Sequence, residues 1–499
     1  MTRTFNWKLV FKTMGVLTTL EALFMLIPTL TAGWYDEPDL GAWVVSSAVT
    51  WLSSWWMLLA GRKAERRVGE REGYVIVATV WVVYSLFGML PFWLSGALPD
   101  LTNAWFETMA GFTTTGATVI HDVTQMTHSI LLWRSLMQWV GGMGIIVLSV
   151  AILPMFGLGG MQLYSAEVTG VSYDKLSPRI ADTAKHMWLT YIALTAIQTA
   201  LLNLEGMTMF DSICHSLSTI STGGFSTRND SMISDNAAIQ WTTAIFMFLS
   251  GINFTQLIYL FRGKPQRLFK DEETRWYAIA VGIATLLLST GLFIHYGIEH
   301  DFTKLISIEH NFANAERALR KGFFMVCSAM TSTGFAASDY MTWPKLLWVF
   351  VFFLMWTGAS SGSTAGGIKW VRLAIFAKAA HAEIQRRIHP NAVIPVRFNG
   401  VTVREQTTSN IMAFMFFYVG IIVMAVLIFC ASGVAFDESI GTAVSAIGNV
   451  GVSIGQFGPS GTYADYPTVA KWTATLVMLI GRLEIFTVLL LFSRALWKK

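Results

Sequence analysis

Long apolar stretches alternate with short polar ones along most of this chain, and the apolar stretches exceed what the interior helices of a soluble domain require. Runs long enough to cross about 30 Å of hydrocarbon as helices cover residues 9–31, 41–60, 74–97, 129–154, 186–203, 238–261, 275–296, 345–376, 408–432 and 468–493. The pattern predicts ten spans. From the third span on, each pair of spans encloses a shorter segment rich in Thr, Ser and Gly, at residues 101–120, 208–227, 316–338 and 437–456. These four segments are too short and too polar to cross a bilayer.

The four segments carry one motif. They read Gly111-Phe-Thr-Thr-Thr-Gly116-Ala, Thr219-Ile-Ser-Thr-Gly223-Gly, Met330-Thr-Ser-Thr-Gly334-Phe and Ile447-Gly-Asn-Val-Gly451-Val, each with a hydroxyl or β-branched residue directly before a glycine. Gly116, Gly223, Gly334 and Gly451 stand 107, 111 and 117 residues apart, a near-constant period that reports internal duplication of a two-span module. An isolated Thr-Gly is an ordinary turn; four in register between spans are not. The fold class expected is an all-α polytopic membrane protein, with four pseudo-symmetric helix–pore loop–helix repeats around one pore and two extra N-terminal spans. The boundaries drawn are 1–70 for the N-terminal hairpin and 71–160, 161–265, 266–380 and 381–499 for repeats one to four.

Irregular backbone at membrane depth survives only where it is buried in protein or lines a watery cavity, because lipid offers no partners for free N–H and C=O groups. Four such loops at equivalent positions imply a shared axis. A ring of extended loops presents backbone carbonyls that replace a cation's hydration shell, and glycine supplies the φ freedom and close approach this needs. The cation ligands expected are therefore Thr114, Thr115 and Gly116, then Ser221, Thr222 and Gly223, then Ser332, Thr333 and Gly334, then Asn449, Val450 and Gly451. The apolar residues before each loop, such as 104–112 and 213–220, form half-spanning helices whose C-terminal ends carry partial negative charge and favour a cation.

Composition agrees with a chain in lipid: 54% of residues are hydrophobic and 13% charged, against about 25% charged in soluble domains. Twenty Trp, 34 Phe and 13 Tyr fit aromatic belts at both interfaces. A net charge of +4 is too small for a nucleic-acid binder. Cys214, Cys327 and Cys430 lie apart without CxxC spacing, and the nine histidines lack paired spacing, so neither a thiolate metal site nor a haem site is supported. Basic residues gather at Arg62, Lys63, Arg66, Arg67 and Arg71, at Arg262, Lys264, Arg267 and Lys270, at Arg386, Arg387, Arg397 and Arg404, and at Arg494, Lys498 and Lys499. The positive-inside bias makes these loops and both termini cytoplasmic. Arg317, Arg320 and Lys321 oppose that bias and are assigned to the start of the third pore segment. The first apolar run is longer than a signal-peptide core of about 7–15 residues and is read as a span.

The chain resembles the membrane subunits of the bacterial Trk potassium uptake system (TrkH), within the superfamily that also contains the Ktr and plant HKT transporters. The resemblance rests on GFTTTGAT at 111–118, QWVGGMGIIVL at 138–148, STGGFS at 221–226, TSTGF at 331–335, HPNAV at 389–393, GNVG at 448–451 and GRLE at 481–484. It implies gated potassium uptake across the bacterial inner membrane, with K+ as the transported ion held at the loop residues named above. It further implies a homodimer with one pore per protomer, docked on a cytoplasmic nucleotide-binding regulatory subunit resembling TrkA, surrounded by membrane lipids and binding no nucleic acid. In the superfamily, glycine at the key position of every loop goes with potassium and serine in the first loop with sodium, so potassium is expected. A less selective channel or transporter of the same architecture, passing Na+ or NH4+, is the alternative; a membrane-embedded enzyme is not expected.

Two interruptions mark the third and fourth modules. Gly358-Ala-Ser-Ser-Gly-Ser-Thr-Ala-Gly-Gly367 cuts the eighth span, and each glycine costs about 1 kcal/mol relative to alanine in a helix. It is not a phosphate-binding loop, since Ile368 stands where the lysine of that motif belongs. A rigid packing kink is one reading. The resemblance implies instead an intramembrane loop beneath the filter that moves to open the pore, with Gly358, Ser361, Gly362, Gly366 and Gly367 as gate residues and Ala365 where the family commonly has another glycine. Arg482 lies past the middle of the last span, where an unpaired charge costs at least about 2.5–3.5 kcal/mol. The resemblance makes it an electrostatic barrier below the filter, and a structural ion pair is the alternative. Glu484, two residues on, is expected to face other neighbours than Arg482. Arg134 and Gln138 share one helical face near the outer interface and read as a snorkelling anchor, and Gly141-Gly142-Met143-Gly144 as close helix packing.

Overall fold

The computed structural model describes residues 5–64, 69–144, 180–299 and 308–497. Residues 145–154 of the fourth expected span, and the basic residues Arg66, Arg67, Lys498 and Lys499, lie outside the described residues. Among the described residues the regular structure is helical apart from one short β-hairpin. Among the described residues six helices are long and apolar enough to cross a membrane, and eight if each of two bent pairs counts as one span.

The N-terminal pair, α1 (Trp7–Trp34) and α2 (Leu40–Ala60), packs as a hairpin. Leucine-rich faces cannot drive helix association in lipid, so small and hydroxyl residues do. Gly15 meets Leu58, Gly61 lies against the Lys12 backbone, and Thr19 bonds Ser54 at 3.2 Å. The outer face of α2 stays apolar and open, with Leu52, Trp55 and Trp56 each at least 60% exposed, as a lipid-facing wall requires.

Each module then supplies a membrane helix, a shorter helix ending in a loop, and a second helix. The leading helices are α3 (Glu70–Gly88, continued by α4, Leu90–Leu94), α7 (Ile180–Leu204), α12 (Glu272–Glu299) and α16 (Glu405–Ala431). The loop-bearing helices are α5 (Leu101–Phe112), α8 (Met209–Ile220), α13 (Ile308–Met330) and α17 (Phe436–Gly448). Twelve residues rise about 18 Å, so α5 and α8 end partway through the membrane. Asp100 and Thr208 cap their first turns by accepting from Asn103 N and Asp211 N. α13 begins eight residues earlier than the expected segment; its polar first half carries Arg317, stacked over Tyr296, and Arg320, paired with Glu316 at 2.8 Å.

Two of the second helices differ from expectation, and that of the third module is interrupted at the glycine run as expected. Three of these spans are not continuous rods. α9 (Ala237–Ser250) breaks into α10 (Phe254–Phe261) with a bend of 109°, and α18 (Thr468–Arg482) into α19 (Phe486–Phe492) with a bend of 113°. α14 (Lys345–Leu354) stops, and α15 (Trp370–Ile388) starts only after the glycine run. The last turn of α6 (His128–Gly142) packs against the ends of two loop-bearing helices, Gly141 beside Phe112 O and Gly142 beside Ser221. Apolar residues flank and enter the breaks at 251–253 and 483–485, which is why hydropathy alone reads straight through those two. α11 (Pro265–Lys270) links α10 to α12, and α20 (Arg494–Trp497) closes the chain. Asn399-Gly400, both at positive φ, turn the hairpin of β1 (Arg397–Phe398) and β2 (Val401–Thr402), the backbone that an Asn-Gly turn favours.

Candidate functional site

The four short helices end in loops with one backbone. Within two residues of each helix end a residue adopts left-handed φ: Thr114 (54°), Thr222 (54°), Ser332 (53°) and Asn449 (54°). The next residue's N–H then returns to the helix: Thr115 to Ala110 O, Gly223 to Ser218 O, Thr333 to Ser328 O and Val450 to Ser445 O, at 2.8–2.9 Å. A left-handed non-glycine residue costs roughly 1–2 kcal/mol, and a threonine more than most, so four at one position mark a backbone held by its surroundings. Thr222 and Ser332 use the strained geometry to bond their hydroxyls to the preceding carbonyl at 2.7 Å. The buried hydroxyl of Thr114 makes no hydrogen bond within the described chain.

One residue further, glycines take positive φ: Gly116 (77°), Gly224 (80°), Gly334 (81°) and Gly451 (90°). The second member differs from the sequence reading. The glycine equivalent to Gly116 is Gly224, not Gly223, and the second loop runs Thr222, Gly223, Gly224 where Ser221, Thr222, Gly223 were aligned. Ser221 instead caps α8. The corrected intervals are 108, 110 and 117 residues. Two adjacent glycines make the register ambiguous in sequence, and backbone handedness resolves it.

These glycines close a cycle. A side chain at Gly116 would place Cβ 2.1 Å from the Gly223 carbonyl oxygen; at Gly224, 1.8 Å from that of Thr333; at Gly334, 2.1 Å from that of Val450; at Gly451, 2.1 Å from that of Thr115. Each loop thus touches the next in chain order and the fourth touches the first. A vestibule of about 90 Å³ opens onto Gly116, Gly224, Gly334 and Gly451 together.

Side chains brace the ring from behind. Thr113 and Thr115 pair at 2.8 Å, and Thr331 and Thr333 at 2.7 Å, so loops one and three share a hydroxyl buttress. Asn449 Nδ2 donates to Thr115 Oγ1 at 3.0 Å and to Met478 O at 2.9 Å. Gln138 donates to Gly223 O at 2.7 Å and accepts from Phe225 N at 3.1 Å. Arg134 is no snorkelling anchor: it is 2% exposed, bonded to Glu107 at 2.8 Å, to Ser226 O at 3.0 Å and to Thr118 Oγ1 at 3.2 Å, and stacked on Phe225. Glu107, itself wholly buried, also accepts Val119 N at 2.8 Å. It escaped the sequence reading, although a lone carboxylate in an apolar pore helix was the available signal. At the outer mouth Asp122 is held near 2 by hydrogen bonds from Thr124 and Asn229, which joins the first two loops and keeps its charge until the pH falls that low.

Below the ring lies the glycine run. Thr364 donates to Ile220 O at 3.1 Å, Gly366 N to Ser332 Oγ at 2.6 Å, and a Cβ on Gly366 would sit 2.3 Å from Gly448 O. Arg482 donates to Thr364 O at 2.7 Å and to the carbonyls of Gly141 and Gly142 at 2.6 and 2.8 Å. It therefore bridges the ends of α18 and α6 to the run. Glu484 pairs with Arg372, as its separation from Arg482 required, but the cause is the broken helix, in which Glu484 and Ile485 both take positive φ. Gly358, Ser361, Gly362, Gly366 and Gly367 all fall in this run, and a cavity of about 110 Å³ on its far side is lined by Ser361, Gly362, Gly366, Gly367, Arg482 and Glu484. Ring, run and Arg482 stack between two cavities.

The comparisons decide the family. Residues 44–499 match the family TrkH, described as "Cation transport protein". The chain belongs to the TrkH family. It is 36% identical over 498 residues, 99% of both chains, to "Trk system potassium uptake protein TrkH" of Halomonas elongata, and 35% identical over 503 residues, 99% of this chain and 100% of the other, to the protein of the same name from Escherichia coli (strain K12). Among solved structures it is similar to the potassium transporter TrkH from Vibrio parahaemolyticus, with a TM-score of 0.85 and 30% identity over 99% of this chain and 100% of the other. As a TrkH-family chain with these apolar helices it is a multi-pass membrane protein in a family of cation transporters, not of enzymes.

Proposed function

We propose that this chain takes up potassium across the inner membrane, as the pore-forming subunit of a Trk-type system, through a filter made of the four loops. The observation that carries this reading is the closed cycle of glycine-to-carbonyl contacts in four loops of one backbone. Potassium is large and weakly hydrated for its charge, and rings of backbone oxygens replace its water. The oxygens of residues 114–116, 222–224, 332–334 and 449–451, with the unengaged Thr114 hydroxyl, are the ligands, and K+ is cargo. The C-terminal ends of α5, α8, α13 and α17 add partial negative charge on the same axis. Basic residues at 262–270 and 386–404 favour cytoplasmic loops and termini. The chain works as a homodimer with a cytoplasmic nucleotide-binding regulatory subunit, and carries out transport rather than catalysis. Gly358 to Gly367 form the gate, closed by Arg482.

Flux into proteoliposomes tests this. Uptake is expected for potassium and rubidium over sodium and lithium, with potassium uptake lost in Gly334→Ser, whose side chain would strike the Val450 carbonyl. Absence of any cation flux, even with a regulatory partner present, would overturn the function. Arg482→Ala removes the positive charge and three bonds that tie the glycine run to α6. Its potassium flux is expected to rise at least several-fold; unchanged or reduced flux would leave Arg482 a structural residue.

A further inference from the structure

The glycine run is anchored from the pore side by Ser332, Ile220 and Arg482 and at the α9–α10 break by Ser360 N to Gly251 O and Phe254 N to Gly362 O, and one side-chain anchor reaches it from α12. Glu273 stands in the first turn of α12, where a carboxylate ordinarily serves its own helix N-terminus. Here it turns away. Its Oε1 accepts Ser361 N at 2.5 Å, inside the run, and Val371 N at 3.1 Å, in the first turn of α15 that follows the run. One oxygen thus ties both flanks of the segment 361–371 together. Glu273 is buried, 3% exposed, and backbone N–H groups donating to a carboxylate form charge-assisted bonds about twice as strong as neutral ones. Neighbouring carboxylates are committed elsewhere: Glu272 to Lys378 and Asn399 N, Asp271 to Thr274 and Asn399. The cations nearby are committed too, as Lys369 bonds Ala365 O and Arg372 pairs with Glu484.

Glu273 and Asn253, which abuts Gly362, both line a groove of about 900 Å³ whose rim carries Arg267, Lys270 and Arg404. Among the described residues these three make no ion pair. Asp271 lines the same groove, so the anchor sits in an opening whose three cations outnumber its two carboxylates, on the side of the run away from the filter.

We propose that Glu273 is the latch of the gate loop: a positioning residue that holds the run closed through the Ser361 and Val371 amides and is reached from the basic groove. The proposal rests on the gating role assigned above to residues 358–367. With the latch made, the run stays against Ser332 and Ile220. With it broken, Ser361 and Val371 separate, and the pore-side anchors and the two backbone bonds to the α9–α10 break remain.

The test compares parent, Glu273→Ala and Glu273→Gln in proteoliposomes, each also carrying Ser363→Cys so that a water-soluble maleimide reports the run's accessibility. Glu273→Ala is expected to raise potassium flux about tenfold, the scale of losing a hydrogen bond to a charged group, and to speed labelling at position 363. Glu273→Gln keeps an acceptor oxygen and is expected to stay within about threefold of the parent, since only the charge assistance is lost. Equal flux and equal labelling in all three overturn the latch, as does an alanine variant that folds but carries less potassium with no faster labelling. If the parent carries no cation at all, the transport reading fails, and the labelling rates still decide whether Glu273 holds the run.

Discussion

Gly451→Ala is expected to abolish potassium uptake while the protein still inserts and purifies intact. Two costs meet at this position. Its φ of 90° lies where an L side chain is strained, and a Cβ would stand 2.1 Å from the Thr115 carbonyl oxygen and 2.8 Å from the Gly116 carbonyl carbon. Both neighbours are backbone, themselves braced by Thr113, Asn449 and the turn onto Ala110, so they cannot swing aside as a flexible side chain would. The cycle opens at its closing contact, between the fourth loop and the first. Rubidium uptake into proteoliposomes, read beside monodispersity in detergent, separates loss of the filter from loss of the fold.

The same experiment distinguishes the two glycines of the second loop. Gly224→Ala would drive Cβ to 1.8 Å from Thr333 O and should match Gly451→Ala. Gly223 has no positive φ, and the three atoms nearest its Cβ would all belong to the Gln138 side chain, at 2.4, 2.5 and 2.8 Å, rather than to backbone. Gln138 can rotate, so Gly223→Ala should keep measurable uptake. Equal loss at both positions would mean that the Gln138 clamp matters as much as the ring.

That pair of glycines also shows what the sequence discloses and where it stops. Hydroxyl–glycine steps at a near-constant period are visible in the letters, because internal duplication preserves composition at equivalent positions. Which of Gly223 and Gly224 occupies the ring is a matter of backbone handedness, and Thr222 in left-handed φ settles it. The breaks at 251–253 and 483–485 were hidden for another reason. Hydropathy reports what faces lipid, and Ile252 and Leu483 are apolar whether or not the helix continues. The break at 358–367 was legible because it is built from glycine. Arg134 looked like an interfacial anchor because its partner, Glu107, lies 27 residues away on another helix; no spacing rule joins them.

Glu107→Ala is expected to be the most destabilising single change in the pore wall. It would leave the Arg134 guanidinium, 2% exposed, without its carboxylate, and breaking a buried pair from one side costs about 3–5 kcal/mol. It would also orphan Val119 N, the amide of the segment that leaves the first filter loop. Replacing both partners with leucine should cost less than Glu107→Ala alone, since desolvating two charges offsets most of their attraction. Thermal denaturation followed by size-exclusion chromatography reads that order, and a double variant less stable than the single one would show that the bonds to Ser226 and Thr118 matter more than the charge pair. Glu107→Gln isolates the electrostatics. It preserves shape and an acceptor, but leaves a net positive charge on a residue that lines the vestibule with Gly116, Gly224, Gly334 and Gly451. An uncompensated charge at the mouth repels the arriving cation in a medium of low dielectric. Uptake in Glu107→Gln should therefore fall more at low ionic strength than at high, because salt screens the repulsion; a loss independent of salt would assign Glu107 to the architecture of the first loop and not to its field.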